Sequence, residues 1–459
     1  MKRLPVAIEF PYCDPLLAFS LFAEDPYSAF LDSPENRGRF AYIATEPISI
    51  ISACHTSPDN SWSQLEEALA DFKLEADRSL PPFQTGMIGF FGYGLGRHLE
   101  RLPAPRQTGD SLPEFSVGLY DVIAAFDTVE RRSWVISSGY PETHEKLRRA
   151  AAEQQAHKMV ARISLAPTAL PPSPTATTIW EPELSRANYE SKVNQIIEYV
   201  RAGDIFQANL TQRFLCTKPD DLKPFDVYRR LRKESPAPYA AYLACGEGQF
   251  VLSASPEQFL RLNTDRIVHT QPIKGSRQRS LCLMEDKAFA EELLKSSKDY
   301  AENLMIVDLL RNDLGRVCQI GSVEVPSLCQ LESFANMHHL VSTVTGKLKA
   351  DESALSLLRA CFPGGSVTGA PKIRAMQIIH ELEPVRRGAY CGSIGWIGFD
   401  GAMETSIVIR TLIIDRDKVI AQAGSGIVAD SDNAEEYEES LSKAAALLRC
   451  LDPDGRSEF

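Results

Sequence analysis

Two pairs of acids stand out for their spacing, Asp299 with Glu302 and Glu436 with Glu439, each three residues apart in a segment whose periodicity predicts a helix, over 284–314 and 434–449. Residues three apart share a helical face, so each helix presents two carboxylates on one side and four have the means to converge. Hard oxygen donors with few sulfur or nitrogen neighbours suit Mg²⁺, which takes one or two carboxylates, keeps waters and completes its shell with an anionic substrate. The same spacing also fits the solvated faces of an acidic protein, and this chain carries a formal charge of −12. A di-iron bundle site is disfavoured, because it needs Glu-x-x-His and here Met305 follows Glu302, and Ser442 follows Glu439, at that spacing. Arg410 sits inside the apolar run SIVIRTLII, where a guanidinium is costly without an anion to meet it, from a ligand or a structural salt bridge.

The elements that must position these groups read as a mixture. RFAYIA, GMIGFFGYG, FVLSAS, GSIGWIGF and SIVIRTLII have the character of strands, and EKLRRAAAEQQAHKMVARI that of a polar helix. A strand over 206–214 places Phe206, Ala208, Leu210 and Phe214 on one face and Gln207, Asn209, Thr211 and Arg213 on the other. The proline- and threonine-rich stretch over 166–180 reads as a linker between an α+β region, 1–165, and a larger region, 181–459. At 459 residues, with 44% hydrophobic and 24% charged residues, the chain has enough apolar material for a sizeable core. Net negative charge disfavours nucleic acid and anionic membrane as partners and leaves small molecules or proteins. The ten cysteines form no Cys-x-x-Cys pair, no window approaches a membrane span, and the N-terminus has no secretory pattern, so a cytoplasmic location is expected. The glycines of GFFGYGLG lack the order of a dinucleotide site.

Eight blocks, in order, resemble those of the chorismate-utilising enzymes: GDIFQANLTQRF, SPEQFL, QPIKGSR, KDYAENLMIVDLLRNDLGRV, MHHLVSTVTG, FPGGSVTGAPKIRA, RRGAYCGSIGWIGFDGAMETSIVIRT and GSGIVADSDNAEEYEESLSKA. They span 185–450, while LDSPENRGRFAYIATEP and GMIGFFGYGLGRHLERLP resemble the N-terminal region of such enzymes more loosely. The resemblance implies an α+β fold of two antiparallel β-sheets packed together and surrounded by helices. It implies that Glu302 and Glu439 contact Mg²⁺ directly and Asp299 and Glu436 through water, with the metal binding the ring carboxylate of chorismate. Tyr390 and Arg410 match positions that hold the other carboxylate. Gly424 and Gly426 would let backbone N–H groups approach a carboxylate, Lys443 would add positive charge, and Thr368 is either a ligand contact or a turn former. His339 matches a histidine beside the departing C4 hydroxyl, while His338 is expected on the opposite face.

Two positions bear on the nucleophile. Relatives that add water carry a lysine base where this chain has Gln207, and a neutral amide cannot deprotonate water, which points to ammonia. At the second, relatives that aminate C2 read P-I-A-G-T, whereas this chain reads Pro272, Ile273, Lys274, Gly275, Ser276. A desolvated Lys274 is a competent nucleophile toward an activated ring, and the resemblance implies that it attacks C2, which would direct ammonia to C4 and yield 4-amino-4-deoxychorismate, with Glu257 matching a residue that shuttles protons. No glutaminase signature is present, so a glutaminase subunit is the implied partner supplying ammonia. Ser33, Arg39, Phe40, Pro238 and Tyr239 resemble a tryptophan pocket. The alternatives are amination at C2, to anthranilate, and a catalytically silent chorismate- or tryptophan-binding protein that kept the fold.

Overall fold

The computed structural model describes residues 3–34, 38–53, 61–100, 102–103, 109–174, 178–333 and 337–457. Residues 35–37 and 101 of the N-terminal blocks, and 175–177 of the expected linker, lie outside the described residues. Two antiparallel sheets of twelve and ten strands stack face to face. The interface between them is apolar, with Tyr42, Trp134, Val251 and Ile413 from the larger sheet meeting Phe90, Ile394 and Trp396 from the smaller. Helices cover both outer faces. Glu145–Ile163 and Pro224–Glu234 pack on the larger sheet, and Ser297–Val317 and Ala354–Cys361 pack on the smaller. This is the two-sheet α+β architecture expected above.

Both sheets run across the division expected at 166–180. In the larger sheet Ala29–Asp32 pairs with Tyr239–Ala244, setting Asp32 opposite Ala240. In the smaller, Gly86–Phe91 pairs with Ser393–Gly398, setting Phe90 opposite Ile394. The two regions therefore share one core, and none of the described residues 166–174 of the proline-rich segment is buried in it.

Three local readings change. The helix expected over 284–314 is two, Leu283–Lys295 and Ser297–Val317, because Ser296 ends the first and caps the second, its hydroxyl accepting from Asp299 N at 3.2 Å. The run SIVIRTLII is two strands in different sheets, Met403–Ile407 in the smaller and Thr411–Asp415 in the larger. Arg410 lies at that crossing, with φ +52°, and not in mid-strand. Strand Gln207–Thr217 buries Ala208, Leu210 and Phe214 as expected, but Phe206 precedes it and is 68% exposed. Gln212 shares the apolar face, where its Nε2 donates to Ser440 Oγ at 2.7 Å while its Oε1 is buried with no hydrogen-bond partner among the described residues.

Candidate active site

Lys274 lies on the short strand Ile273–Gln278, which pairs with Met337–Lys347 through an irregular register: Ile273 faces Val341 and Ser276 faces His339, with a bulge between. Gly275 makes the bulge, with φ +78°, and a Cβ at that position would stand 2.8 Å from Asp299 Cβ. The glycine thus serves two needs, a left-handed backbone and close approach of the Ser297–Val317 helix. Lys274, half-buried, is party to no hydrogen bond or ion pair among the described residues. Its charge acts on three carboxylates, Glu257, Glu302 and Glu439.

Those three carboxylates differ. Glu257 is 5% exposed, and burial pushes its carboxyl up to about 7 against the opposing effects of a Ser366 hydrogen bond and Lys274. Glu302, from the Ser297–Val317 helix, is raised by burial, opposed by Lys274 and Lys298 and reinforced by Asp299 and Glu439. Gln207 donates to its Oε2 at 3.3 Å. Glu439, from the Asn433–Arg449 helix, is also pushed up by desolvation, but Lys443 at 2.6 Å, with Lys298 and Lys274, outweighs this and holds it below its ordinary value.

The other two acids of the helical pairs are engaged nearby. Asp299 accepts from Arg277 at 3.3 Å, while Glu436 is buried, accepts from both Ser425 and Ser431, and lies 3.8 Å from Lys298. Among the described residues no three His, Cys, Asp or Glu side chains draw together into a metal cage. A cation would therefore take two glutamates and fill its shell with water and substrate, the mode that suits Mg²⁺. Two observations fit that cation. The Glu439 charge raises the Glu302 carboxyl, a repulsion that a cation between them relieves, and Gln207 Oε1 is buried with no partner.

His339 is 8% exposed, and its Nδ1 lies 2.7 Å from Ser276 Oγ. Burial, with the charges of Arg410 and His338, pushes it down to about 4, so the ring is neutral. His338 turns to the opposite side, onto Ser333 at 2.8 Å and Asp286 at 3.0 Å. Arg410 donates to the Lys443 carbonyl and stands in the field of Tyr390 and Glu439; burial, the larger effect, lowers its pKa. Tyr390 is buried beside it.

The remaining expected contacts have local explanations. Thr368 is fully buried and its hydroxyl donates to Gly364 O at 2.8 Å, the bond of a turn former. A Cβ on Gly424 would stand 1.9 Å from Leu210 O, and one on Gly426 would stand 1.8 Å from Gln207 Nε2. Both glycines thus admit the neighbouring strand and its glutamine. Lys443 also donates to Gly424 O at 3.2 Å.

Two residues escaped the sequence reading. Lys298, whose charge acts on Glu302 and Glu439, stands four residues before Glu302, a spacing that was available as a signal. Ser366 bonds Glu257 from the short 3-10 turn Gly365–Val367 and gave none.

Ser33, Arg39, Phe40, Pro238 and Tyr239 gather on a second cavity of about 710 Å³, also lined by Asp32 and Glu404. Arg39 lies over the Phe40 ring, 5.0 Å from its centroid, and pairs with Asp127 and Glu130 at 2.7 Å.

Residues 26–449 match the family described as chorismate binding enzyme. Aminodeoxychorismate synthase component 1 of Klebsiella aerogenes is 44% identical over 450 residues, covering 95% of this chain and 96% of that protein. Anthranilate synthase component 1 of Synechocystis is 37% identical over 475 residues, covering 94% and 92%. The crystal structure of anthranilate synthase component I from Streptococcus pneumoniae superposes with a TM-score of 0.80 at 32% identity, covering 91% of this chain and 94% of that one.

Proposed function

The chain belongs to the chorismate-binding enzymes, and from that premise we propose that it aminates chorismate at C4, giving 4-amino-4-deoxychorismate on the route to p-aminobenzoate and folate. The observation that carries this reading is Lys274: an amine without a partner among the described residues, aimed by a glycine bulge and acting on three carboxylates. As a neutral amine it attacks C2 and forms a C–N bond while the C4–O bond breaks across the conjugated system. The proton it loses passes through Glu257, near 7 and so able both to give and to accept, and leaves with the hydroxyl as water. Ammonia then adds at C4 as the Lys274–C2 bond breaks, restoring the amine.

Glu302 and Glu439 would hold Mg²⁺, which when bound supplies Lewis-acid polarisation of a substrate carboxylate. Arg410 and Tyr390 clamp the other carboxylate, and Gln207, a neutral amide, cannot deprotonate water and leaves ammonia as the nucleophile. A glutaminase subunit supplies that ammonia, and the complex works in the cytoplasm; no helix among the described residues is long and apolar enough to cross a membrane. The second cavity takes tryptophan, with Arg39 and Phe40 at its rim. Chromatography of products from chorismate, Mg²⁺ and ammonium salt tests the assignment. 4-Amino-4-deoxychorismate is expected, while anthranilate or isochorismate as the main product overturns it.

A further inference from the structure

We propose that a third cavity, between the 3-10 turn Tyr93–His98 and the C-terminal end of helix Lys372–Leu382, binds a small monocarboxylate, with its apolar body against Tyr93, Met376 and Ile379 and its carboxylate on Arg386. The cavity measures about 60 Å³, and none of its lining residues belongs to the active site or to the larger cavity described above. Most charged groups on its wall are already bound. Glu383 accepts from Arg387 at 2.7 and 2.9 Å and from Thr211 at 2.7 Å, and Arg387 also donates to Val367 O and Asn209 O, each at 2.8 Å. Glu114 is held by His98 at 2.7 Å, and Arg97 donates to Pro103 O at 2.9 Å.

Arg386 differs. Among the described residues it is party to no hydrogen bond or ion pair, and its Nε is buried without an acceptor. The stretch RLPAPRQT, 101–108, whose Leu102 and Pro103 border the cavity, has no acid to offer it. Burial, the largest effect, lowers the pKa of Arg386, opposed by the charges of Glu114 and Asp110 and reinforced by Arg97. A guanidinium nonetheless stays charged near neutral pH, so a partly desolvated cation without a bonded partner faces apolar walls. That arrangement is costly unless an anion meets it. One cation selects one negative charge, and a planar carboxylate takes two guanidinium N–H groups at once. Sulfate or phosphate would bring further oxygens that the apolar walls cannot bond. An apolar cavity of about 150 Å³ holds benzene, so one of about 60 Å³ suits a body of about two to four carbons. Leu102, Val385 and Arg386 are half-buried, which gives a ligand entry from that side.

Propionate is the probe and Met376 the reporter. The full chain carrying ¹³C-methyl methionine, with the Met376 signal assigned by its loss in Met376→Leu, is titrated with sodium propionate while sodium chloride holds the ionic strength constant. The Met376 methyl should shift and saturate with a Kd on the order of a few millimolar. Propionamide, of the same shape without the charge, should bind at least about tenfold more weakly, and Arg386→Gln should weaken propionate by about tenfold or more. Arg386→Lys, which keeps the charge and loses the planar fork, should fall between parent and glutamine variant. Because Arg386 touches no group of the active site, turnover of Arg386→Gln should stay within about threefold of the parent, a sign that the variant is folded. A Met376 signal that does not move up to about 50 mM propionate overturns the proposal, since binding weaker than that has no use for the unpaired cation. So does an equal shift from chloride or propionamide, or an unchanged propionate affinity in Arg386→Gln. The comparison of propionate with propionamide on the parent needs no variant and no assumption about the reaction, so it decides the site even if amination at C4 proves wrong.

Discussion

Around Lys274, charged groups act on one another while leaving the amine unpaired; around the second cavity, Asp32, Arg39 and Glu404 are bound to partners. Arg39 there holds Asp127 and Glu130, Arg232 holds Asp32 at 2.6 Å, and Gln258 donates to Tyr239 at 3.0 Å and to Glu404 at 3.2 Å. At the first site Glu257 and Glu302 are both raised by burial, which marks carboxylates held where their charge is disfavoured. Asp32 and Glu404 at the second cavity are raised by burial as well, so what separates the two regions is pairing: the Lys274 amine has no partner among the described residues, while Asp32 and Arg39 are held in ion pairs. Gln258 is the covalent neighbour of Glu257, so the two regions meet in one dipeptide.

The sharpest break in this contrast would come from the glutamates. Glu302→Ala or Glu439→Ala should lower turnover by on the order of a thousandfold while the melting transition persists. If either variant works like the parent in the presence of EDTA, the cation has been placed wrongly.

Next in size is Lys274→Ala, expected to cost on the order of a few hundredfold and to let some amination reach C2. With ammonia withheld, intact-protein mass spectrometry should find the parent heavier by chorismate less one water on the peptide holding Lys274, and the alanine variant unmodified. An adduct on Lys443 or Lys372 would move the nucleophile elsewhere.

Glu257→Gln should cost about a hundredfold in kcat and remove an ionisation near neutrality from the pH profile. It also gives a stability test whose sign is fixed. The folded carboxyl sits at about 7, above its ordinary 4.5, so the folded state holds the proton that the unfolded chain releases between those values. Parent stability therefore falls as pH rises through that window, by up to about 3 kcal/mol from this group, and the fall should be missing in the glutamine variant. Equal pH dependence of chemical denaturation in both proteins would refute it.

The smallest effect belongs to the cavity. Arg39 is 50% exposed, so Arg39→Ala should change stability by less than about 1 kcal/mol and kcat by less than about twofold. Calorimetric titration with tryptophan should give a binding isotherm for the parent that weakens in this variant. A large fall in kcat would erase the distinction between the two regions.

Much of this was readable along the chain because its cause is local. Helical periodicity put Glu436 and Glu439 on one face of a helix found at Asn433–Arg449, and alternation found the buried face of Gln207–Thr217. The PIKGS segment drew attention to Lys274 before any geometry was known. What one stretch of sequence does not carry is which distant stretch it lies against, since hydrophobic pattern fixes a face but not the partner that covers it. Pairing of Ala29–Asp32 with Tyr239–Ala244 merged two expected regions into one core, and the crossing between sheets at Arg410 broke an apolar run that reads as a single strand. The approach of Glu302 to Glu439, the burial that moves Glu257 to about 7, and the bond from Ser276 to His339 all arise between elements brought together only by packing. Residue types and short-range spacing come from the sequence directly, while dielectric, register and convergence are properties of the assembled sheets.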